Sequence, residues 1–264
     1  MKRGYTEGTR GQLHWHEAGS EGPERFSALV CLHPSPYSGL AFARLAPELN
    51  AGRRVLAPDY PGYGGSDSCG YQPSIGEFAD AMLEVVNDRC EGPVDLLGFH
   101  TGCLVAAEMS LLASEHVRSL TLIDSPAFDA ETRRAYLAKM GAPFELEDEL
   151  SSLQAAWEFN VAGKAERIGL DRGFELFVEQ ARAARGMNAA FHAAFSYDVE
   201  TRLAAVSRPT LIVATQSSLL ETTRRTAELI PGAHLVERLE ITRDVLDGDV
   251  STIAQTFIDH YPDA

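Results

Sequence analysis

Short apolar runs alternate with segments of helical periodicity along nearly the whole of this chain, and that alternation leaves few folds open. Residues 26–33, 53–59, 93–99, 118–124 and 209–215 are apolar enough to be central strands covered on both faces, and 234–241 reads as a later one. Between them, Phe78, Met82, Val85 and Val86 fall at helical spacing, as do Val250, Ile253, Ala254, Phe257, Ile258 and Tyr261 near the end. Strands separated by helices pair in parallel, because each return to the sheet needs a long crossover. The expected fold class is therefore α/β, with a mainly parallel central sheet flanked by helices on both faces. The segment from Gln12 to Glu17 alternates like an antiparallel edge strand.

Between Pro126 and Pro209 the rhythm breaks, since this stretch holds helix formers, glycine and charge but no convincing strand. The reading is an inserted helical lid at 126–208, with 1–125 and 209–264 forming the core. Trp157, Phe159, Phe174, Phe177, Phe191 and Phe195 are its large apolar positions. Most of them are expected to pack the lid, and a minority to line a pocket.

The 264 residues, 45% of them apolar, suffice for one large domain with a sizeable core. A formal charge of −15 repels phosphate backbones and anionic lipid, so nucleic acid and membrane are excluded as partner classes, leaving a small-molecule substrate or ligand and a possible homodimer. The start, Met1 to Glu7, lacks the apolar core of a signal peptide, and no run approaches membrane-spanning length, so a cytoplasmic protein is expected. Cys31, Cys69, Cys90 and Cys103 show neither metal-type nor disulfide-framework spacing and read as reduced thiols. No metal or cofactor is expected.

Three motifs follow the strands in order. Leu32-His33-Pro34-Ser35-Pro36 closes the strand run 26–33, which corresponds to the third strand of the family named below. Asp59-Tyr60-Pro61-Gly62-Tyr63-Gly64-Gly65-Ser66 closes the fourth, and Gly98-Phe99-His100-Thr101-Gly102 joins the fifth to a helix. Their order resembles the α/β-hydrolase superfamily over nearly the whole chain: a His-Gly-type loop, a D-x-P-G-x-G-x-S turn and the strand-turn-helix elbow of G-x-S-x-G. Leu122-Ile123-Asp124-Ser125-Pro126 resembles the exit of the sixth strand into a lid, and Arg208 to Val213 the strand that returns to the core. The resemblance implies an active site at the sheet's carboxyl edge, built on a Ser-His-acid triad.

Against that pattern, His100 stands where the serine is expected. Ser217 falls near the expected acid, and Thr242 or Arg243 takes the place of the general-base histidine. His234 and His260 read as surface residues. All three usual triad positions are substituted, so the family's charge-relay device cannot be assembled in its usual form. What the fold retains is a pair of backbone N–H donors, at Ser35 and Thr101, aimed at one spot as an oxyanion hole. At the amino end of a helix the dipole favours neutral imidazole, which is a base.

The candidate catalytic residues are therefore His100 as acid/base, Ser35 and Thr101 as oxyanion donors, and Asp124 as a group that could orient the imidazole. Tyr37, Tyr60, Phe99, Trp157 and His192 are candidate substrate contacts, and His33 and Asp59 read as braces of their loops. The expected function is acid/base chemistry on a small carbonyl or lactone-like metabolite, of lyase, isomerase or cyclase type. Two alternatives stand beside it: an esterase or lactonase with a relocated catalytic device, and a non-catalytic protein that keeps the pocket for ligand binding.

Overall fold

A computed structural model describes residues 1–68, 72–145 and 148–261. Eight strands form one sheet: β1 (Lys2–Gly8), β2 (Gly11–Ala18), β3 (Leu29–Leu32), β4 (Val55–Pro58), β5 (Val94–Phe99), β6 (Val117–Ile123), β7 (Thr210–Thr215) and β8 (His234–Arg238). The order is β1-β2-β4-β3-β5-β6-β7-β8. The pairs β1/β2 and β2/β4 are antiparallel, and all others are parallel. Helices α1 (Ile75–Arg89), α2 (Thr101–Leu112), α9 (Leu220–Leu229) and α10 (Val250–His260) cover the sheet. Between β6 and β7 comes the helical lid: α3 (Ala130–Met140), α4 (Ser151–Trp157), α5 (Ala165–Ile168), α6 (Leu170–Ala183), α7 (Ala189–Ser196) and α8 (Val199–Ala204). This is the α/β-hydrolase architecture.

Side chains alternate across the central strands, and the two cores follow from it. Val30, Leu32, Leu96 and Ile212 join Phe78, Met82 and Leu104 on one face. Leu29, Cys31, Leu97, Leu211 and Val213 meet Phe42, Ile253 and Phe257 on the other. Helix α2 is buried along its first ten residues, because it lies against α1, β5 and the lid helices α7 and α8 at once.

Two expectations are corrected. The edge of the sheet is β1, not the Gln12–Glu17 segment, which sits one strand inward in β2. Strand β1, with the sequence Lys-Arg-Gly-Tyr-Thr-Glu-Gly, buries only Thr6, so it joins by backbone pairing that carries no apolar signal. The last strand also ends at Arg238 instead of reaching 241, since the chain turns there and Ile241 N–H donates to the Arg238 carbonyl. Cys31, Cys90 and Cys103 are free thiols; Cys69 lies outside the described residues. Among the described residues no helix is long and apolar enough to cross a membrane.

The loops that frame the sheet's carboxyl edge are locked by two buried residues. Tyr60 N–H donates to His33 Nε2 at 3.0 Å, while Nδ1 lies 3.0 Å from the Pro34 carbonyl, so the proton must sit on Nδ1 and the ring is neutral. Burial pushes this imidazole down from 6.5 to about 4, against the opposing pull of Asp59 and the Pro34 carbonyl. Asp59 accepts from Gly39 N–H (2.7 Å), Gly65 N–H (2.9 Å) and His14 Nδ1 (2.8 Å). Burial alone would raise its pKa, but those bonds and the nearby histidines hold it below the ordinary value. Gly64 has a positive φ of 52°, and a Cβ there would meet the Asp59 carboxylate at 2.0 Å.

The close approach of α2 to β3 gives one prediction. A Cβ on Gly102 would stand 1.9 Å from the Leu32 carbonyl oxygen, a backbone atom that cannot swing aside. Gly102→Ala is expected to lower the unfolding free energy by about 3 kcal/mol in urea melts, whereas Gly19→Ala, with nothing within 4 Å, stays within roughly 0.5 kcal/mol. His33 gives another. Because its pKa falls from 6.5 unfolded to about 4 folded, its stabilising contribution is complete above pH 6.5 and is lost as pH drops towards 4. Melts between pH 7.5 and 4 should show this as a loss of about 3 kcal/mol, and His33→Asn should flatten that slope by one proton's worth.

Candidate active site

The junction of β5 and α2 is the most constrained turn in the molecule. His100 occupies φ 51° and ψ −118°, a region costing a non-glycine residue roughly 1–3 kcal/mol. It is held there by His100 N–H donating to the Ile123 carbonyl (3.1 Å) and Cys103 N–H donating to the His100 carbonyl (2.9 Å). Glycine flanks it because nothing larger fits: a Cβ on Gly98 would lie 2.4 Å from the Gly102 carbonyl oxygen.

The turn presents the imidazole to a cavity of about 720 Å³. Phe99, Tyr37, Phe159 and Leu176 supply apolar wall, and Pro34, Ser35, Asp124 and Thr215 border the sheet side. The Phe99 ring stacks on His100 with centroids 3.9 Å apart. Among the described residues the imidazole has no hydrogen-bond or ion-pair partner. It is half-buried and opens to the cavity, and desolvation, with the Lys164 charge nearby, lowers it from 6.5 to about 4. At neutral pH it is an uncharged base.

Ser35 lines the cavity, whereas Thr101, next to His100 in the chain, is buried and is not among its lining residues. Ser35 borders the cavity, 8% exposed, and its buried hydroxyl has no partner among the described residues. Thr101 is the first residue of α2, where a backbone N–H has no intrahelical acceptor.

Asp124 reaches the same cavity but is not joined to the imidazole. It leaves β6 with φ 50° and accepts from Thr215 N–H (2.9 Å) and Thr215 Oγ1 (2.6 Å), tying the ends of β6 and β7 together. Burial raises its pKa, opposed by those bonds and one from Ser217. Ser217, Thr242 and Arg243 all line the cavity.

Three proposed substrate contacts lie elsewhere. Tyr60 is fully buried under His33, Tyr63 and Phe78, because the turn after β4 folds it inward. Trp157 packs edge-on against Phe174 and Phe177 on the lid's outer side, 42% exposed. His192 lines a separate surface groove with Glu108, Tyr197 and Arg202, because α7 turns its neighbour Phe191 to the cavity instead. His234 and His260 stack on each other at 4.9 Å, outside the cavity.

The residues that sequence reasoning missed are charged. Lys164, Arg167, Asp244 and Asp247 line the cavity from the lid and from the loop after β8, and no spacing in the sequence marks them. A further cluster, His14, His16 and Asp59, brings three potential metal-ligating atoms within 4.8 Å of one another. Both Asp59 oxygens already accept hydrogen bonds there, so the trio serves the turn.

Comparison with known proteins agrees with the architecture. The model of the alpha/beta hydrolase family matches residues 29–248. The chain is 34% identical over 119 residues to a pimeloyl-(acyl-carrier protein) methyl ester esterase of Vibrio atlanticus, covering 45% of this chain and 42% of the relative. It is 29% identical over 187 residues to a putative carbamate hydrolase RutD of Variovorax paradoxus, covering 65% and 66%. The chain thus spans between two fifths and two thirds of the length of these curated relatives. The enol-lactonase of Burkholderia xenovorans LB400 superposes with a TM-score of 0.81 over 98% of this chain and 100% of its own, at 17% identity, which is a likeness of fold.

These findings overturn the expectation of a lyase, isomerase or cyclase, since most of the relatives by sequence carry the names of hydrolytic enzymes. That expectation rested on which side chains were missing. Backbone donors at such a bend polarise a carbonyl for attack by water as well as for enolisation, and they do not depend on the residue at the apex. With the matched family model covering most of its length, the chain belongs to the alpha/beta hydrolase family.

Proposed function

We propose that this protein hydrolyses a small ester or lactone by a device relocated onto His100. In this reading His100 takes the serine's place at the elbow, Ser217 stands near the acid's place and Thr242-Arg243 in that of the general base, so an acyl-serine route is closed. The neutral imidazole accepts a proton from water as the water oxygen attacks the substrate carbonyl. The resulting oxyanion is held by the N–H groups of Ser35 and Thr101. As the tetrahedral intermediate collapses, the imidazolium returns the proton to the leaving oxygen, giving acid and alcohol. Asp124 acts at a distance, fixing the β6/β7 edge through Thr215. The same reading keeps a small molecule as the partner and the cytoplasm as the location.

One observation carries the proposal: an unpartnered, uncharged imidazole faces a mostly apolar cavity from the strained turn. Attack by His100 itself is disfavoured, because an acyl-imidazole would still need a second base to activate water.

His100→Ala is expected to reduce kcat/KM on an ester and lactone panel by about 100- to 10,000-fold with little change in substrate KM. His100→Ser should not restore an esterase, since no base stands beside it. Ligand that binds with micromolar affinity and is recovered intact from wild type would instead identify a binding protein. The acid limb of kcat/KM, read by brief pH-jump assays, should have its midpoint near His100's value of about 4, with activity lost below it as the base is protonated. A midpoint at 6.5 or above would place the working base elsewhere.

A further inference from the structure

Carboxylates and cations both line the cavity, and two of the cations have no part in the hydrolysis of a neutral ester. Of the carboxylates lining it, Asp244 is paired with Arg167, Asp247 with Arg172 at 2.7 Å, and Asp124 is bonded by Thr215. Glu158 accepts from Gln154 at 2.8 Å on the exposed side. Two cations line the same cavity whose side chains make no direct ion pair or hydrogen bond among the described residues, Lys164 and Arg243. The Lys164 ammonium lies 4.6 Å from the centroid of Phe159 and 5.9 Å from that of Tyr37. Aromatic faces shelter it without neutralising it.

Lys164 is also built into place. It follows a π-helical turn, Glu158–Ala162, in which Gly163 N–H reaches back to the Glu158 carbonyl at 2.7 Å. Within that turn Asn160 is fully buried, accepting from the Tyr37 hydroxyl (2.7 Å) and donating to the Ala156 carbonyl and Gln180. The lid is thereby pinned to the loop after β3, and the residue that follows is held over the cavity. Arg243 lines the same cavity from the loop after β8. Desolvation already presses on the ammonium: its pKa is lowered by burial, although Asp244 and Asp247 pull it upward. A bound anion would relieve that penalty.

We infer that Lys164 and Arg243 form an anion subsite, so that the substrate is an ester or lactone carrying a carboxylate away from its scissile carbonyl. The inference rests on the hydrolytic reading for the word ester, but the subsite itself is a matter of binding. The carboxylate would be held by the lid ammonium and the guanidinium while the carbonyl reaches His100, and each charged hydrogen bond is worth about a tenfold change in affinity.

The test separates binding from turnover. Calorimetric titration of His100→Ala with monomethyl adipate and with dimethyl adipate should show the monoanion bound at least 10-fold more tightly. Lys164→Met and Arg243→Met should each weaken monoanion binding about 10-fold, and Lys164→Arg should retain most of it. In the His100-containing enzyme, the ratio of KM for 4-nitrophenyl acetate to that for mono-4-nitrophenyl adipate should collapse in Lys164→Met. Equal binding of monoanion and diester, or a preference untouched by both substitutions, overturns the subsite. Preferential monoanion binding without hydrolysis of either ester leaves the subsite standing and removes the hydrolytic reading; hydrolysis without preference does the reverse.

Discussion

Everything at the sheet's carboxyl edge depends on how closely the start of α2 is drawn against the ends of β3 and β5. That approach is possible because Gly98 and Gly102 leave backbone against backbone, and it forces His100 into a positive-φ conformation that a free chain would avoid. The cost is covered by parallel pairing on both sides of β5 and by burial of nearly all of α2. A rigid apex, a free helix N-terminus and a side chain aimed at the cavity all follow from that packing. The strain therefore belongs to the scaffold, and it would be present whichever side chain stood at position 100.

The cavity's electrostatics are set by burial more than by contact. His100 and His33 both lie near 4, chiefly through desolvation, yet they differ in what surrounds them. His33 has both ring nitrogens engaged and braces a loop, whereas His100 has neither engaged and is free to exchange a proton. Asp244 and Asp247 on the cavity wall are engaged by Arg167 and Arg172. A protein with a net charge of −15 thus keeps two cations without a direct ion pair on the cavity wall.

The elbow, the His33 loop and the Asp59 turn were legible in the sequence because each needs glycine, proline or a buried polar residue at fixed offsets from an apolar run. Tyr60 and His192 were misplaced for a common reason: a loop or helix fixes position along the chain but not which face turns inward. Lys164 left no signal at all, since a lysine among helix formers looks like any solvated residue. Its role depends on a π-helical turn and on a tyrosine more than a hundred residues earlier. Strand β1 was missed because an edge strand held by backbone hydrogen bonds requires no apolar pattern.

The sequence by itself determined the α/β architecture, the helical insertion and the presence of an imidazole at the strand-to-helix apex. Periodicity and turn chemistry act over a few residues and survive in any compact arrangement. Only the tertiary structure decided that Asp124 turns to Thr215 and away from His100, that Thr242 and Arg243 face the cavity, and that Lys164 comes over it from the lid. Those facts depend on the packing of segments distant in the chain, where burial and charge pairing are resolved by neighbours that no local pattern names.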